Sequence, residues 1–355
     1  MKKKLIVALL ALAMMLSLAA CGAPAPKAEA PAEAPAAAPA AEEKAEAKPV
    51  TLTAIVAGLT EDSPSGVALK KFAELCNEYS GGTVTIDCYF NTELGSVGSC
   101  VDSCMQGTID IVSTGTSYFS GIVPDIQVFE LPFLFNTYDE VHQALDNEPG
   151  DLLKQMFDGS GIKLLCYWES GMRHVTNSRG PVQTAADMNG LKIRTVVSET
   201  QTATWKAFGA IPMALDMGEV FTALQQGTVD AQENALSSIA SYKMYEVQDY
   251  LSMTYHSYTA MPFYINQKSW DNLSADQQAA VQKASEEARD LARQLNAESE
   301  AVNLELLAAE GVEINYEPDR ESFASLVGPV YELFTTNLGN DTALKAVQDY
   351  LASIR

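Results

Sequence analysis

Alternating apolar and polar positions along the chain predict strands separated by helices. Residues 50–58 alternate like a strand, and Ser63-Pro64 then opens a helix, with serine as the N-cap and proline at the first helical position. Two glycines at 81–82 end that helix before another alternating run. The pattern then predicts strands at 84–88, 109–113 and 162–168 and helices at 97–106 and 138–157.

The same alternation continues through the second half of the chain. It predicts a short helix, a strand, a helix, a strand and a helix at 185–188, 191–196, 199–208, 211–214 and 218–226. Strands that alternate with helices indicate an α/β protein with a largely parallel sheet. Because ligands of such sheets bind at the carboxyl ends of the strands, we expect the loops at 60–61, 91–96 and 114–117 to line a cleft.

A very long helix is predicted near the carboxyl end, at 274–310. Ser274 and Gln277 have the spacing of a capping box, which marks its start. At 1.5 Å per residue such a helix reaches about 55 Å, which is longer than one lobe. Two lobes joined by a spanning helix form a geometry that can open and close.

The amino terminus has the pattern of a lipoprotein signal peptide at 1–20. Lysines at 2–4 precede a short apolar run at 5–16, and small residues then lead to Cys21. The pattern resembles a lipoprotein signal-peptidase site, which implies lipidation of Cys21; the alternative is an ordinary signal peptide with an incidental cysteine. Residues 21–48 are rich in Ala, Pro, Glu and Lys and predict a disordered tether. We therefore expect an extracytoplasmic protein held by lipid alone, at the periplasmic face or on the outer surface of the cytoplasmic membrane.

The charge of the chain excludes one class of partner. It has 46 acidic and 23 basic residues and a net charge of −23, which disfavours nucleic acid and anionic lipid surfaces. Five cysteines follow Cys21, and we interpret them as buried free thiols. Because Cys100 and Cys104 share a helix face but the three histidines are scattered, we expect no metal and no cofactor.

One cation stands out in this acidic chain. Arg194 ends the alternating run 190–194, so a rigid strand can hold its guanidinium, whose planar fork matches a carboxylate. The pattern alone leaves two interpretations, a site for a small anion or a pair with one of the many acidic groups. The chain has no nucleophile elbow, zinc-protease pair or phosphate-binding loop, and we expect no enzymatic activity.

Eight segments between residues 50 and 285 resemble, in order and spacing, those of the DctP-type solute-binding proteins of tripartite ATP-independent periplasmic (TRAP) transporters. They are 91–95, 107–110, 131–135, 171–177, 187–194, 218–224, 229–234 and 245–248. The resemblance implies a two-lobed flytrap fold that closes on a small organic anion, usually a carboxylate, and delivers it to the membrane subunits of the transporter. It divides the chain into lobe 1, at 49–170 plus 260–299, and lobe 2, at 171–259 plus 300–355. A ligand-sensing lipoprotein and the receptor of an ATP-driven (ABC-type) importer are the alternatives.

The resemblance also assigns roles to individual residues. Six positions fall on the ligand site: Arg194 as the carboxylate clamp, Arg173 as a second arginine, Asn234 as a ligand-binding amide, Met217 packing on the ligand, and Val197 and His256 lining the pocket. The alternatives are structural: Arg173 as a strut between lobes, Asn234 as a helix cap, Met217 as core and His256 as a satisfied buried histidine.

Two positions depart from the pattern of the family. The run at 96–100 is Ser-Val-Gly-Ser-Cys where many relatives carry charged residues, and Val197 occupies a position that is often polar. Both changes favour a small or less polar carboxylate over a highly hydroxylated sugar acid.

Overall fold

The computed structural model describes residues 48–355. The predicted signal peptide, the lipidated Cys21 and the tether up to residue 47 lie outside the described residues. From residue 48 onward, no helix is both long and apolar enough to cross a membrane.

The described residues contain a sheet of ten strands, eight of which form a continuous path of neighbours. The ten strands are β1 (Val50–Ala57), β2 (Val84–Asn91), β3 (Ile111–Ser113), β4 (Ile162–Asn177), β5 (Lys192–Thr195), β6 (Ile211–Ala214), β7 (Ala231–Ala235), β8 (Tyr250–Ser252), β9 (Tyr258–Asn266) and β10 (Glu313–Asn315). The order is β2-β1-β3-β9-β4-β7-β5-β6, with β8 beside β4 and β10 beside β8. Strands at the two ends of this path pair in parallel, whereas β4 and β9 pair antiparallel with their neighbours. The sheet is therefore mixed, and the expectation of a largely parallel sheet holds only away from its centre.

Twelve α-helices of the same region cover the sheet. They are α1 (Pro64–Tyr79), α2 (Val97–Gln106), α3 (Tyr138–Asp146), α4 (Glu148–Met156), α5 (Glu199–Ala207), α6 (Met217–Gln225), α7 (Leu236–Ser241), α8 (Gln267–Asp271), α9 (Ala275–Ala309), α10 (Arg320–Ala324), α11 (Gly328–Leu338) and α12 (Thr342–Ile354). Short 3-10 turns occupy Thr116–Phe119, Pro124–Glu130, Ala185–Met188 and Met244–Glu246.

Local capping signals gave correct helix starts. The Ser63 hydroxyl accepts from the Gly66 amide at 3.1 Å at the start of α1. At the start of α9, Ser274 and Gln277 make both bonds of the capping box. The predicted long helix is thereby confirmed.

Two elements differ from the prediction. The helix expected at 138–157 is two helices, because Asn147 is extended and Pro149 lies in the first turn of α4, where its missing N–H is tolerated. The strand expected at 162–168 continues through Gly171 to Asn177 as β4. Gly171 has φ +114 and takes up a register shift in the pairing with β9, so the strand bulges there instead of ending.

The long helix α9 joins separate parts of the core. Ala284, Ala288 and Ala292 pack in a cluster with β1, α1 and β9, whereas Leu307 belongs to a cluster with α6 and α7. Helix α12 packs against α3 and α4. The fold thus has two lobes with α9 running along both, and the residue boundaries given above stay a prediction.

Candidate ligand-binding site

Arg194 lies near the end of β5 and is almost completely buried, with 1% of its surface exposed. Its Nε and Nη2 donate to the carbonyl oxygen of Leu215 at 3.0 and 2.8 Å. These are its only hydrogen bonds within residues 48–355, and no carboxylate of that region lies within ion-pair distance. Of the five N–H donors of the guanidinium, three are therefore left for another acceptor.

Asn234 and Met217 lie next to Arg194. In the parallel pairing of β5 with β7, Arg194 is opposite Gln232, so the alternate residue Asn234 shares its face of the sheet. The Asn234 amide nitrogen lies 3.7 Å from the Met217 sulfur, and Asn234 belongs to β7 without capping α7. Met217 is the first residue of α6, and its Cβ would be 4.0 Å from a Cβ at Gly58, the residue after β1. The segment after β1 and the start of α6 thus approach each other at Met217.

Arg173 makes a different set of contacts, because a carboxylate takes most of its donors. Its Nε and Nη2 bind the two carboxylate oxygens of Glu233 at 2.5 and 2.9 Å, and Nη2 also donates to the Glu233 carbonyl at 2.8 Å. Nη1 donates to the Thr259 hydroxyl at 2.8 Å. Only one N–H of Arg173 is left, so its capacity to bind a ligand is smaller than that of Arg194.

His256 contacts the same buried carboxylate, that of Glu233. Its Nε2 is 3.1 Å from the Glu233 carboxylate, and its Nδ1 is 2.8 Å from the Thr254 hydroxyl. Burial would raise the pKa of Glu233, but the charge of Arg173 and hydrogen bonds from His256 and Arg173 outweigh it and lower that pKa from 4.5 to about 2. Burial lowers the pKa of His256 in spite of Glu233, so the imidazole is neutral at pH 7.

The six predicted site residues fall into three groups. Arg194, Asn234 and Met217 are buried together, and Arg173 and His256 are joined through Glu233. Val197 is the exception, because 57% of its surface is exposed. Its role in lining the pocket stays a prediction.

Three polar residues near this region lie outside the motifs given above: Tyr118, Tyr242 and Asp216. Burial raises the pKa of Tyr118, and the charges of Arg194 and Arg173 oppose that rise. Tyr242, after α7, donates to the Asn91 side chain at 2.5 Å. Asp216, directly before Met217, is the N-cap of α6.

Some of these polar residues lie in or next to the loops that the sequence analysis expected to line a cleft. Asn91 lies in the loop predicted at 91–96, and Tyr118 directly follows the one at 114–117. A surface depression of about 300 Å³ is lined by the first two expected loops, at Thr60, Glu61, Phe90, Asn91, Thr92 and Glu93. Tyr242 and Asp216 carry no motif, and only the fold brings them to the site.

Glu130 is a second buried carboxylate near these groups. The hydroxyls of Thr116 and Ser117 donate to it, as does the Ser117 amide at 3.0 Å. Its charge raises the pKa of Arg173, after the larger effects of burial and Glu233. Within the apolar run at 131–135, Leu131, Leu134 and Phe135 are buried in the core.

The sequence of this fold matches a known family model over residues 55–337, that of the bacterial extracellular solute-binding proteins, family 7 (DctP). The chain belongs to this family. One relative is the 2,3-diketo-L-gulonate-binding periplasmic protein YiaO of Escherichia coli, 37% identical over 286 residues that cover 80% of this chain and 87% of the relative. Another is the C4-dicarboxylate-binding periplasmic protein DctP of Rhodobacter capsulatus, 29% identical over 80% of this chain and 87% of its own.

Solved structures of family members have the same fold. The sugar acid-binding protein DctPAm of Advenella mimigardefordensis, in complex with galactonate, aligns with a TM-score of 0.83 at 30% identity over 87% of this chain and 99% of its own. A TRAP periplasmic solute-binding protein of Polaromonas sp. JS666, bound to D-erythronate, aligns with a TM-score of 0.81 at 30% identity over 85% and 98%. The family-7 protein described here is therefore a solute-binding receptor of the TRAP type and not an enzyme.

Proposed function

We propose that this family-7 protein binds the carboxylate of a small organic acid at Arg194 and presents the acid to the membrane subunits of a TRAP transporter. The observation that carries the proposal is the buried guanidinium of Arg194, which keeps three N–H donors unspent beside Asn234 and Met217. A bidentate carboxylate is the acceptor that matches such a fork.

Burial explains how the ligand controls closure. Removing water strengthens the charge-assisted hydrogen bonds between guanidinium and carboxylate. Burying Arg194 without an anion is costly, so a closed state is disfavoured until a carboxylate is bound. The ligand thereby shifts the equilibrium between open and closed lobes by its difference in affinity for the two.

The other site residues differ in how much each contributes to ligand binding in this proposal. Asn234 and Met217 contact the ligand body from the same face as Arg194. Arg173 adds its single remaining donor and is oriented by Glu233 and His256. The two lobes of the proposal are those of the predicted division. The bulge at Gly171 in β4 is a suitable hinge between these lobes, because it interrupts the pairing of β4 with β9.

The relatives narrow the class of ligand. Their bound acids include erythronate, galactonate and succinate, and YiaO is named for 2,3-diketo-L-gulonate. All are small carboxylic acids. Succinate has two carboxylates, and each of the other acids has one carboxylate together with hydroxyl or keto oxygens. We propose that the ligand belongs to the range these acids span.

A binding screen with arginine variants tests the proposal. The purified protein is screened by thermal shift against organic acids, and titration calorimetry gives the dissociation constant of each hit. We expect Arg194→Ala to weaken binding on the order of 100-fold, and Arg194→Lys to weaken it as well because lysine lacks the planar fork. Arg179→Ala is the control, since Arg179 is a half-exposed arginine paired with Asp230. Unchanged affinity in both Arg194 variants would contradict the assignment.

We propose further that lipid on Cys21 holds the protein at the membrane surface, as the signal pattern indicates. The full chain expressed in a bacterium should incorporate a fatty-acid label and partition into detergent. The Cys21→Ala variant should do neither. Equal labelling of both forms would contradict the anchor.

A further inference from the structure

A cluster of polar side chains surrounds the bulge in β4, where the chain crosses between the two predicted lobes. The predicted division places the three crossings at 170–171 in β4, 259–260 in β9 and 299–300 in α9. Strand β4 pairs with β9 up to Met172 and with β7 from Arg173 onward, so it changes neighbours beside the first crossing. A rotation of one lobe against the other therefore bends the chain close to this point.

One buried carboxylate contacts all three crossing segments. Glu169 belongs to β4 and is almost completely buried. Its Oε2 accepts from the Tyr258 hydroxyl of β9 at 2.6 Å, and its Oε1 accepts from the Asn296 amide of α9 at 3.0 Å. The same Oε2 lies 2.6 Å from Nε2 of His142 in α3. Because Tyr258 and Asn296 are buried as well, the low dielectric of the interior strengthens these bonds.

Tyr138, the first residue of α3, connects the same segments beside the bulge. Its hydroxyl accepts from the Met172 amide of β4 at 3.1 Å and donates to the Glu300 carboxylate of α9 at 3.0 Å. A Cβ at Gly171 would lie 2.9 Å from this hydroxyl and 2.7 Å from the Asn296 amide. Glycine at this position therefore leaves the room that both contacts need.

The described conformation brings side chains of the two predicted lobes together across the cleft. The Tyr242 hydroxyl donates to the Asn91 side chain at 2.5 Å, and the Ser198 hydroxyl donates to the Gln127 side chain at 2.8 Å. Asn91 and Gln127 belong to predicted lobe 1, whereas Tyr242 and Ser198 belong to predicted lobe 2. The bonds around the bulge are therefore those of a closed arrangement.

We propose that five residues form a hinge clasp that stabilises the closed arrangement of the lobes: Tyr138, Glu169, Tyr258, Asn296 and Glu300. The inference rests on the proposed function, because closure around a ligand is part of that function. None of the five is among the residues proposed for the ligand site. The clasp thus favours closure without contacting the ligand, and it adds to the ligand's own effect on the equilibrium.

Three hydrogen bonds of the clasp cross the predicted lobe boundary, two from Tyr138 and one between Glu169 and Tyr258. Opening the lobes moves the two partners of each bond apart or out of line. Because a hydrogen bond weakens steeply with distance and angle, these bonds favour the closed arrangement over the open one. Losing both bonds of Tyr138 should lower the ratio of closed to open protein about tenfold. Tyr138 is therefore a positioning residue for closure.

The distance between two spin labels measures the ratio of closed to open protein. Labels at Glu78 in α1 and Lys206 in α5 lie on the two predicted lobes, and both positions are exposed. A keto amino acid carries the labels, so the five free cysteines of the described region stay unlabelled. Double electron–electron resonance is recorded without acid and with saturating D-erythronate, galactonate or succinate. We expect the wild-type protein to show the distance of the described conformation in at least one of these conditions.

Variants of single hydrogen-bonding groups identify the clasp. Tyr138→Phe keeps the ring, removes both bonds of the hydroxyl and should lower the ratio about tenfold. Tyr167→Phe is the matched control, because the Tyr167 hydroxyl donates to the Gly150 carbonyl at 3.0 Å within predicted lobe 1. This control should cost stability and leave the ratio unchanged. Glu300→Ala removes the acceptor of Tyr138 and should lower the ratio several-fold, whereas Glu300→Gln keeps an acceptor oxygen and should restore most of it.

Three outcomes overturn the clasp. They are a wild-type ratio in Tyr138→Phe, an equal fall of the ratio in Tyr167→Phe, and a wild-type protein that stays open in every condition. The Arg194 variants separate this failure from that of the proposed function. If Arg194→Ala abolishes binding while Tyr138→Phe closes as the wild type does, the clamp stands and the clasp is wrong. If Arg194→Ala binds with unchanged affinity while Tyr138→Phe lowers the ratio, the clamp is wrong and the clasp stands.

Discussion

Replacing Glu233 by glutamine should destabilise the protein strongly, although the change is one of the smallest possible in size. Glu233 is fully buried and holds Arg173 through two carboxylate contacts, with His256 on the same carboxylate. Glutamine keeps the volume but removes the charge. Arg173 would then be a buried cation without its partner, which costs about 3–5 kcal/mol in comparable cases.

The pKa of Glu233 gives a second route to the magnitude. A carboxyl held at about 2 in the folded protein instead of 4.5 corresponds to about 3 kcal/mol of stability. Because the folded pKa is depressed, this contribution is fully present above pH 4.5 and is lost as the pH falls toward 2. Glu233→Gln cannot titrate there, so the difference between wild type and variant should shrink over that window.

Chemical denaturation measures both effects. The free energy of unfolding of the two proteins is compared at pH 7, 5, 4 and 3, in the absence of ligand. Glu74→Gln is the control, because Glu74 is an exposed carboxylate paired with Lys71 and should contribute less than about 1 kcal/mol. A loss below 1 kcal/mol for Glu233→Gln at pH 7, or a difference that stays constant down to pH 3, would refute the reasoning.

Three further variants test other parts of the structure. Gly171→Ala places a Cβ 2.7 Å from the Asn296 amide at φ +114 and should cost about 1–3 kcal/mol in denaturant unfolding; unchanged stability would mean that the bulge relaxes freely. Tyr242→Phe removes the hydrogen bond to Asn91 and should speed ligand dissociation about threefold to tenfold in stopped-flow traces. An unaltered dissociation rate would exclude a role of this hydrogen bond in holding the lobes closed. Ser274→Ala removes the cap of α9 and should lower stability by about 1 kcal/mol, and no change in the unfolding midpoint would contradict the capping energy.

Local chemistry made much of the fold predictable. Ser63 and Ser274 act as N-caps because their hydroxyls bond amides three residues along the chain, and such contacts can be inferred from spacing alone. The break at Asn147 was missed although Pro149 was in view, because the apolar spacing on both sides suited one helix. The second half of β4 was missed because its partners in β7 lie about 60 residues away, beyond any local pattern.

The site was predictable to a smaller extent, and the reason differs among residues. Arg194 could be found because it ends a short alternating run and has a match in the family pattern. Asp216 could not, because a helix N-cap explains an aspartate at that position completely. Its place next to Leu215, whose carbonyl accepts from the Arg194 guanidinium, follows only from the fold.

The unequal roles of the two arginines follow from strand register. Arg173 is opposite Ala235 and Val175 is opposite Glu233 in the antiparallel pair of β4 and β7. Because side chains alternate, Arg173 and Glu233 share one face and lie diagonally within reach of each other. A slip of one residue would move Glu233 to the other face and leave Arg173 without its anion. The register therefore commits Arg173 to a structural pair and leaves Arg194 as the cation that a ligand can claim.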